Sequence, residues 1–294
     1  MKIFDCFQFF DEDVMLDLRL NVLNQYVDKF VIVENLFMHS GKKKQKNFKI
    51  EKYKKFKDKI IYILVDKLPE GLADIGKYNN DDKTNQIINN TLKIEYNQRN
   101  KITEGLEDAN ENDLILISDV DEIPKLDNIK TKIKNKIILF EQSLFYYKFN
   151  LQYEGLNWVG TKGVLKKNLI SPQWLRNIKD RKYPIWRLDI LFNNMKYNNI
   201  QFIKDGGWHF TNFRTASELE LKLNNFGHHI EFIESGLKIK DIEKMIKNNQ
   251  AIYDYGADMR KNKWGGSKIL KKVDWPKLPE YVILNREKYK QWFS

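Results

Sequence analysis

The stretch "LILISDVDEIPK", Leu114 to Lys125, decides how this chain is read. Four apolar residues run into Ser118, and three acids follow within four positions: Asp119, Asp121 and Glu122, with Pro124 close behind. A short apolar run rich in branched residues reads as a buried strand. In an open α/β sheet, ligands bind in the crevice outside the carboxyl ends of the strands. The acids therefore face a crevice rather than a core.

Upstream of this strand the pattern alternates. "KIFDCFQFF" (Lys2–Phe10) is strand-like. "DEDVMLDLRLNVLNQYV" (Asp11–Val27) predicts a helix, with acids in its first turn where the helix dipole favours them. "KFVIVEN" (Lys29–Asn35) and "KIIYILVD" (Lys59–Asp66) are further strands. Residues 72–85 read as a loop and 86–107 as a helix. Strands alternating with helices predict an α/β fold, a mostly parallel sheet with helices on both faces.

Downstream, "NKIILFEQSLFYYKFNLQYEG" (Asn135–Gly155) is aromatic and β-branched and predicts antiparallel or edge strands. Thr215 and Glu218 form a T-x-x-E capping box ahead of a helical pattern. A second helix near 240–249 puts Ile242, Met245 and Ile246 on one face. The tail, 275–293, reads as irregular chain wrapping onto the rest. No repeat or linker divides the chain. It is read as a single domain over 1–294, with a nucleotide-binding half to about residue 125 and an acceptor half with C-terminal helices and tail from about 126.

The formal charge is +11 and the pI about 9.3. That admits a basic nucleic-acid-binding module. The lysines are scattered along the chain, however, and only "GKKKQK" (Gly41–Lys46) is dense, so nucleic acid is not the expected partner. Cys6 is the only cysteine, which excludes an internal disulfide or a cysteine zinc site; it reads as a small core residue. No apolar run reaches 18 residues, and the N-terminus carries acids where a signal peptide needs an apolar stretch. The expected address is the cytoplasm.

Carboxylates two apart at a turning strand end can converge on one hard divalent cation. Mg²⁺ or Mn²⁺ takes oxygen ligands and completes its shell with water and substrate phosphates. Asp119 and Asp121 are thus candidate metal ligands, and Glu122 joins them at the ligand. Glu34 ends a strand at the same crevice and could accept from a base N–H. Asp11 follows the first strand. Arg99, suited to phosphate by its fork of donors, and Asn100 lie on the helix before the acid strand. His209, in "DGGWHF", could ligate the metal, with adjacent glycines allowing close backbone approach. Asp205 is a candidate general base.

In order, "FDCFQFFDEDVMLDLRLNVLNQYVDKFVIVEN", "NQRNKI", "DLILISDVDEIPK", "WVGTKG" and "DGGWHF" resemble glycosyltransferase family 17 over roughly residues 1–230. This is the family of the β-1,4-mannosyl-glycoprotein N-acetylglucosaminyltransferase. The resemblance implies a GT-A fold (Rossmann-like), with a small antiparallel portion and a helical C-terminal part. It implies a UDP-sugar donor, UDP-GlcNAc first, a glycan acceptor, and inversion to a β-linkage. It implies that Asp119 and Asp121 handle Mn²⁺ (or Mg²⁺) and the diphosphate, and that His209 is a C-terminal metal ligand. Arg260, near Asp258, falls where a basic residue could reach the diphosphate.

For the base, Asp205 comes first and Glu154 second. Trp158, Trp208, Tyr146 and Tyr147 could offer flat faces to sugar rings. The animal enzymes carry a membrane anchor and a stem, whereas this chain starts at its first strand. The expectation is therefore a bacterial or viral enzyme acting on a lipid-linked or surface glycan, with peripheral membrane contact at most. Asp11 stands where relatives often have asparagine. A nucleotidyltransferase using the same acids is the competing enzyme class.

Overall fold

The computed structural model describes residues 1–184, 186, 193–225, 229–257, 263–266 and 268–294. β1 (Ile3–Phe9), α1 (Asp13–Leu23), β2 (Lys29–Asn35) and β3 (Ile60–Val65) come first. α2 (Asn80–Asn100) and a 3₁₀ segment, Lys101–Leu106, lead to β4 (Leu114–Asp119). Next are β5 (Glu122–Pro124), α3 (Ile129–Lys132), β6 (Ile137–Tyr146), β7 (Leu151–Leu165) and α4 (Pro172–Asn177). The remainder holds β8 (Ile200–Ile203), β9 (Gly207–Thr211), α5 (Ala216–Leu223), α6 (His229–Ser235), α7 (Ile239–Lys247), β10 (Lys271–Lys272) and α8 (Glu280–Leu284).

These strands form one sheet in the order β3-β2-β1-β4-β7-β6-β9-β5, with β10 on β7 and β8 on β6. β1 to β4 pair in parallel, β7 runs antiparallel to β4 and β6, and β8 and β9 run parallel to β6. The fold is the Rossmann-like mixed α/β arrangement that the pattern predicts. β1 has β2 on one side and β4 on the other, so the chain winds outward in both directions from β1. The crevice at such a switch point is where open α/β sheets bind ligands.

Helices cover both sheet faces, which is why β1, β2 and β4 are buried throughout rather than alternating with polar residues. On one face Ile3, Phe7, Phe9, Leu114 and Leu116 pack with Leu16, Leu20 and Leu23 of α1. On the other, Phe4, Cys6, Val31, Ile115 and Ile117 pack with Ile102 and Leu106. Cys6 is the core residue expected, and burial pushes its thiol pKa up. A third cluster joins Leu144, Tyr146, Tyr147 and Tyr153 to Leu219, Leu223, Ile242 and Met245 of α5 and α7. Tyr146 and Tyr147 are therefore core residues, not sugar platforms, because α5 and α7 close over them.

α2 begins earlier than its periodicity predicts, taking residues from the expected loop. Asp81 and Asp82 occupy its first turn, where they complement the helix dipole. It also ends earlier, at Asn100, and tightens into the 3₁₀ segment, which brings Gly105 against Val31. The capping box at Thr215 and Glu218 is formed. The tail is more regular than expected. It carries α8 and a 3₁₀ segment, Arg286–Trp292, and buries Leu278, Val282 and Tyr289 in the first core cluster. Among the described residues, no helix is long and apolar enough to cross a membrane.

Candidate functional site

The acid turn is held from below by one arginine. Asp5 faces α1, and Arg19 of α1 reaches it with two bonds of 2.7 and 2.6 Å. The same guanidinium donates to the carbonyls of Asp119 (3.0 Å), Val120 (3.2 Å) and Glu122 (2.8 Å) and to Ser118 Oγ (2.5 Å). Arg19 and Asp5 are both fully buried. The turn's core-facing carbonyls thus gain donors, and its side chains are free to sort by environment. Glu122 Oε2 accepts the Asp119 backbone N–H at 2.8 Å, closing the turn on itself.

Glu122 points inward and is fully buried. It accepts from Arg176 Nη1 (2.7 Å) and Nη2 (3.2 Å) and from Trp158 Nε1 (2.8 Å). Arg176 rides on α4, which starts with Ser171 capping the Trp174 N–H and Pro172 in the first turn. Lys162 Nζ fixes the far end, donating to the carbonyls of Arg176 (2.9 Å) and Ile178 (2.5 Å). Gly160, in "WVGTKG", accepts Arg176 Nη1 at its carbonyl, 2.6 Å away. A Cβ there would come within 2.9 Å of the Glu122 carboxyl carbon and 2.1 Å of Gln142 Oε1.

Asp119 lies between two arginines. Arg99 Nη2 is 3.2 Å from Oδ1, and Arg176 Nη2 is 2.9 Å from Oδ2. Burial works against its charge, but Arg176 and Arg99 outweigh it and hold the carboxyl well below the usual range. Burial likewise opposes the Arg176 charge, and Asp119 and Glu122 more than restore it. The Asp119 side chain stays 43% exposed, so this cluster of charges opens to the crevice. Arg99 also donates to Glu95 (2.8 Å) and Gln173 (2.5 Å), while its buried Nε has no partner.

Asp121 faces the other way, toward β9. β5 pairs with β9 so that Glu122 stands opposite His209, and the Phe210 N–H donates to the Asp121 carbonyl at 2.9 Å. Gly207 makes that pairing possible. Its φ is +133°, and a Cβ would strike the Ile123 carbonyl at 2.2 Å. His209 Nε2 comes within 3.5 Å of Asp121 Oδ2, and the imidazole lies 4.6 Å from the Trp158 ring. Trp158 thus packs tilted against His209 and edge-on against Tyr255 and is tied to Glu122. Burial raises the Asp121 pKa, but His209 and then Lys222 outweigh it, so the carboxyl is held low. Lys222 Nζ donates to Asn212 Oδ1 at 3.2 Å.

Among the described residues, no three His, Cys, Asp or Glu side chains gather closely enough to hold a metal. The expected trio of Asp119, Asp121 and His209 is therefore split, because Arg99 and Arg176 claim Asp119. Asp121 and His209 remain together. The Asp121 carboxylate and the Nε2 of His209, 3.5 Å apart, fit Mn²⁺, which accepts oxygen and nitrogen donors and completes its shell with water and phosphate.

Other expected residues go elsewhere. Glu34 is fully buried and saturated: Oε1 accepts from Lys44 (2.5 Å) and the Asn47 N–H (2.7 Å), and Oε2 from the Phe48 N–H (3.0 Å) and Tyr62 (2.9 Å). No lone-pair position is left for a base. Asp11 and Glu12 pair with Arg214 from the β9–α5 loop. Asn100 accepts the Gln173 N–H at 3.0 Å and tethers α4 to α2. Asp205 is exposed on the turn before β9, at φ +49° and four residues ahead of His209. Glu154 is exposed and paired with Lys271 at 2.8 Å. Trp208 donates to the Lys277 carbonyl at 2.7 Å. Arg260 and Asp258 lie outside the described residues.

Sequence reasoning missed Arg19, Arg176, Lys222 and His39. Arg19 carried a signal, a lone cation among Met15, Leu16, Leu18, Leu20 and Leu23 of one helix. His39 stands among Gln98, Glu95, Arg99 and Asp119, where burial lowers its pKa. Nothing local marks Arg176 or Lys222.

The glycosyltransferase family 17 model matches residues 1–171. No curated protein matches the chain. Among solved structures, a Bacillus anthracis protein named as a glucose-1-phosphate thymidylyltransferase, in complex with sucrose, is similar at 13% identity. That match covers 71% of this chain and 88% of the other, with a TM-score of 0.34. The family match spans more than half of the sequence and includes the whole acid turn, while Arg176, His209 and Lys222 lie beyond it. By that match the chain belongs to glycosyltransferase family 17, whose members carry sugar from a donor to a glycan acceptor.

Proposed function

We propose that this glycosyltransferase uses a UDP-sugar donor, UDP-GlcNAc first, with Mn²⁺, and inverts to a β-linkage. The observation that carries this is the ionised Asp121 beside His209, next to an Asp119 flanked by Arg99 and Arg176, at the switch between β1 and β4. Asp121 and His209 would hold the ion, and the chemistry it would supply is neutralisation of charge on the leaving diphosphate. Arg99, whose Nε is unpartnered, offers donors to the phosphates, while Arg176 spends its own on Glu122, Asp119 and the Gly160 carbonyl and holds the acid turn in place. Lys222 adds a third cation from α5. An acceptor hydroxyl bonds to the anomeric carbon as the bond from that carbon to the phosphate oxygen breaks. UDP leaves with the electron pair, and a carboxylate takes the hydroxyl proton. Glu154, on β7 and lining the open cavity with Ser143 and Asn157, is the base in this reading; Asp205 sits on the exposed turn before β9 and does not line that cavity.

Calorimetric titration with UDP and UDP-GlcNAc, with Mn²⁺ and in EDTA, tests the proposal. Binding is expected only with the ion, and Asp121→Asn weakens it at least tenfold. Equal UDP affinity in EDTA, or indifference to every UDP-sugar, sinks it.

A further inference from the structure

Beyond Trp158, β7 lines an open cavity of about 540 Å³. Its walls include Ser143, Gln152, Glu154, Asn157, Lys268 and Lys277. The volume is that of a small-molecule site, but such sites are mostly apolar and this wall is hydroxyl, amide and charge. Polar groups of these types match the hydroxyls of a sugar rather than an apolar cofactor.

Three observations make it more than a dent. Gln152 Oε1 is buried and has no hydrogen-bond partner, so an amide group awaits a ligand. Glu154 is matched by Lys271, whereas Lys268 and Lys277 have no carboxylate partner among the described residues. The Lys268 ammonium rests 4.9 Å over the Tyr153 ring, which fixes it beside the opening. The cavity therefore carries net positive charge. Gly155, at φ +86°, turns the strand there and leaves the opening clear of a side chain.

Its place is adjacent to the acid turn. Asn157 pairs with Ser143, and the next residue, Trp158, bonds Glu122 and packs against His209. We infer that this cavity binds the acceptor, and that the acceptor is an acidic glycan bearing a carboxylate or phosphate. The inference rests on the function proposed above, but its binding step can be read without a nucleotide.

The probes are tetragalacturonic acid, its neutral methyl ester, and a trisaccharide capped with mannose 6-phosphate, titrated into the whole chain. The acid is expected to bind at least tenfold more tightly than the ester. Lys268→Glu and Lys277→Glu each weaken it at least tenfold, and Lys268→Gln less. UDP affinity with Mn²⁺ stays unchanged in all three. Tighter binding of the phosphate probe names phosphate as the anion and upholds the site. Equal binding of acid and ester, no binding of either acidic probe, or variants within twofold of the parent overturns the inference. A chain that binds the acid but not UDP defeats the nucleotide reading and leaves the cavity standing.

Discussion

Replacing Arg19 with methionine tests what organises the acid turn. Six acceptors share this one guanidinium, two of them on Asp5, three of them carbonyls of residues 119, 120 and 122, and one the Ser118 hydroxyl. Removing one partner of a buried ion pair costs about 3–5 kcal/mol. Leaving carbonyls dry adds about 1 kcal/mol each at the low end. Arg19→Met should therefore lose about 6 kcal/mol at the low end of both terms, comparable with the whole stability of a modest domain. Asp5→Leu combined with Arg19→Met removes the orphaned charge and should recover about 2–3 kcal/mol, since apolar replacement of a buried pair is often tolerated. The rest of the loss belongs to the carbonyls. Urea unfolding at constant m-value reads all three proteins. A single variant within 1 kcal/mol of the parent, or a double variant no better than the single, refutes this account.

Glu34→Gln should destabilise by about 2 kcal/mol, because a buried amide cannot accept the four donors the carboxylate does; UDP affinity should be unaltered, and a tenfold loss would restore Glu34 to the nucleotide site. Gly160→Ala forces Gln142 and Glu122 apart from β7 and should cost about 1–3 kcal/mol, measured by thermal melting. Burial opposes the Asp113 charge, but donors from the Lys2 and Asn110 N–H groups win and lower its pKa. Its stabilisation is therefore complete above the unfolded carboxyl pKa of about 3.9 and fades as pH falls through the lower folded value. Asp113→Asn should be less stable than the parent at pH 7, with the gap narrowing toward pH 3; a gap independent of pH counts against the assignment. Thr215→Ala should cost about 1 kcal/mol through the lost helix cap, and no change in urea midpoint would contradict the box.

The parallel half of the sheet was legible because burial on both faces writes continuous apolar runs, as in "LILIS" and "FVIV". The capping box was legible because its chemistry is local. The site was legible only in part, and the reason is distance along the chain. Asp119 and Asp121 stood out as acids ending a buried strand, and His209 by its residue type and glycine neighbours. Their actual partners, Arg99 from one helix and Arg176 from another, are set by how α2 and α4 pack. No periodicity encodes which arginine meets which acid. Glu34 misled for the same reason: a strand-end acid at a crevice looks ligand-facing until the Lys44–Phe48 segment folds over it.

The pairing of β5 with β9 has a consequence for the order in which the molecule forms. Glu122 and His209 are 87 residues apart, yet they are direct neighbours at the sheet's edge. Closing a loop of that length adds an entropic cost that grows as about (3/2)RT ln n, so the pairing is rewarded only after most of the chain exists. During synthesis the first four parallel strands can associate while β9 is still inside the ribosome, since folding proceeds from the N-terminus. The acid turn therefore emerges early, steadied by Arg19 alone, with Asp121 lacking its histidine. Nascent chains arrested before residue 211 should carry the sheet but bind no divalent ion. Under the metal assignment proposed above, affinity for the ion becomes a timer for completed folding, readable on stalled ribosomes.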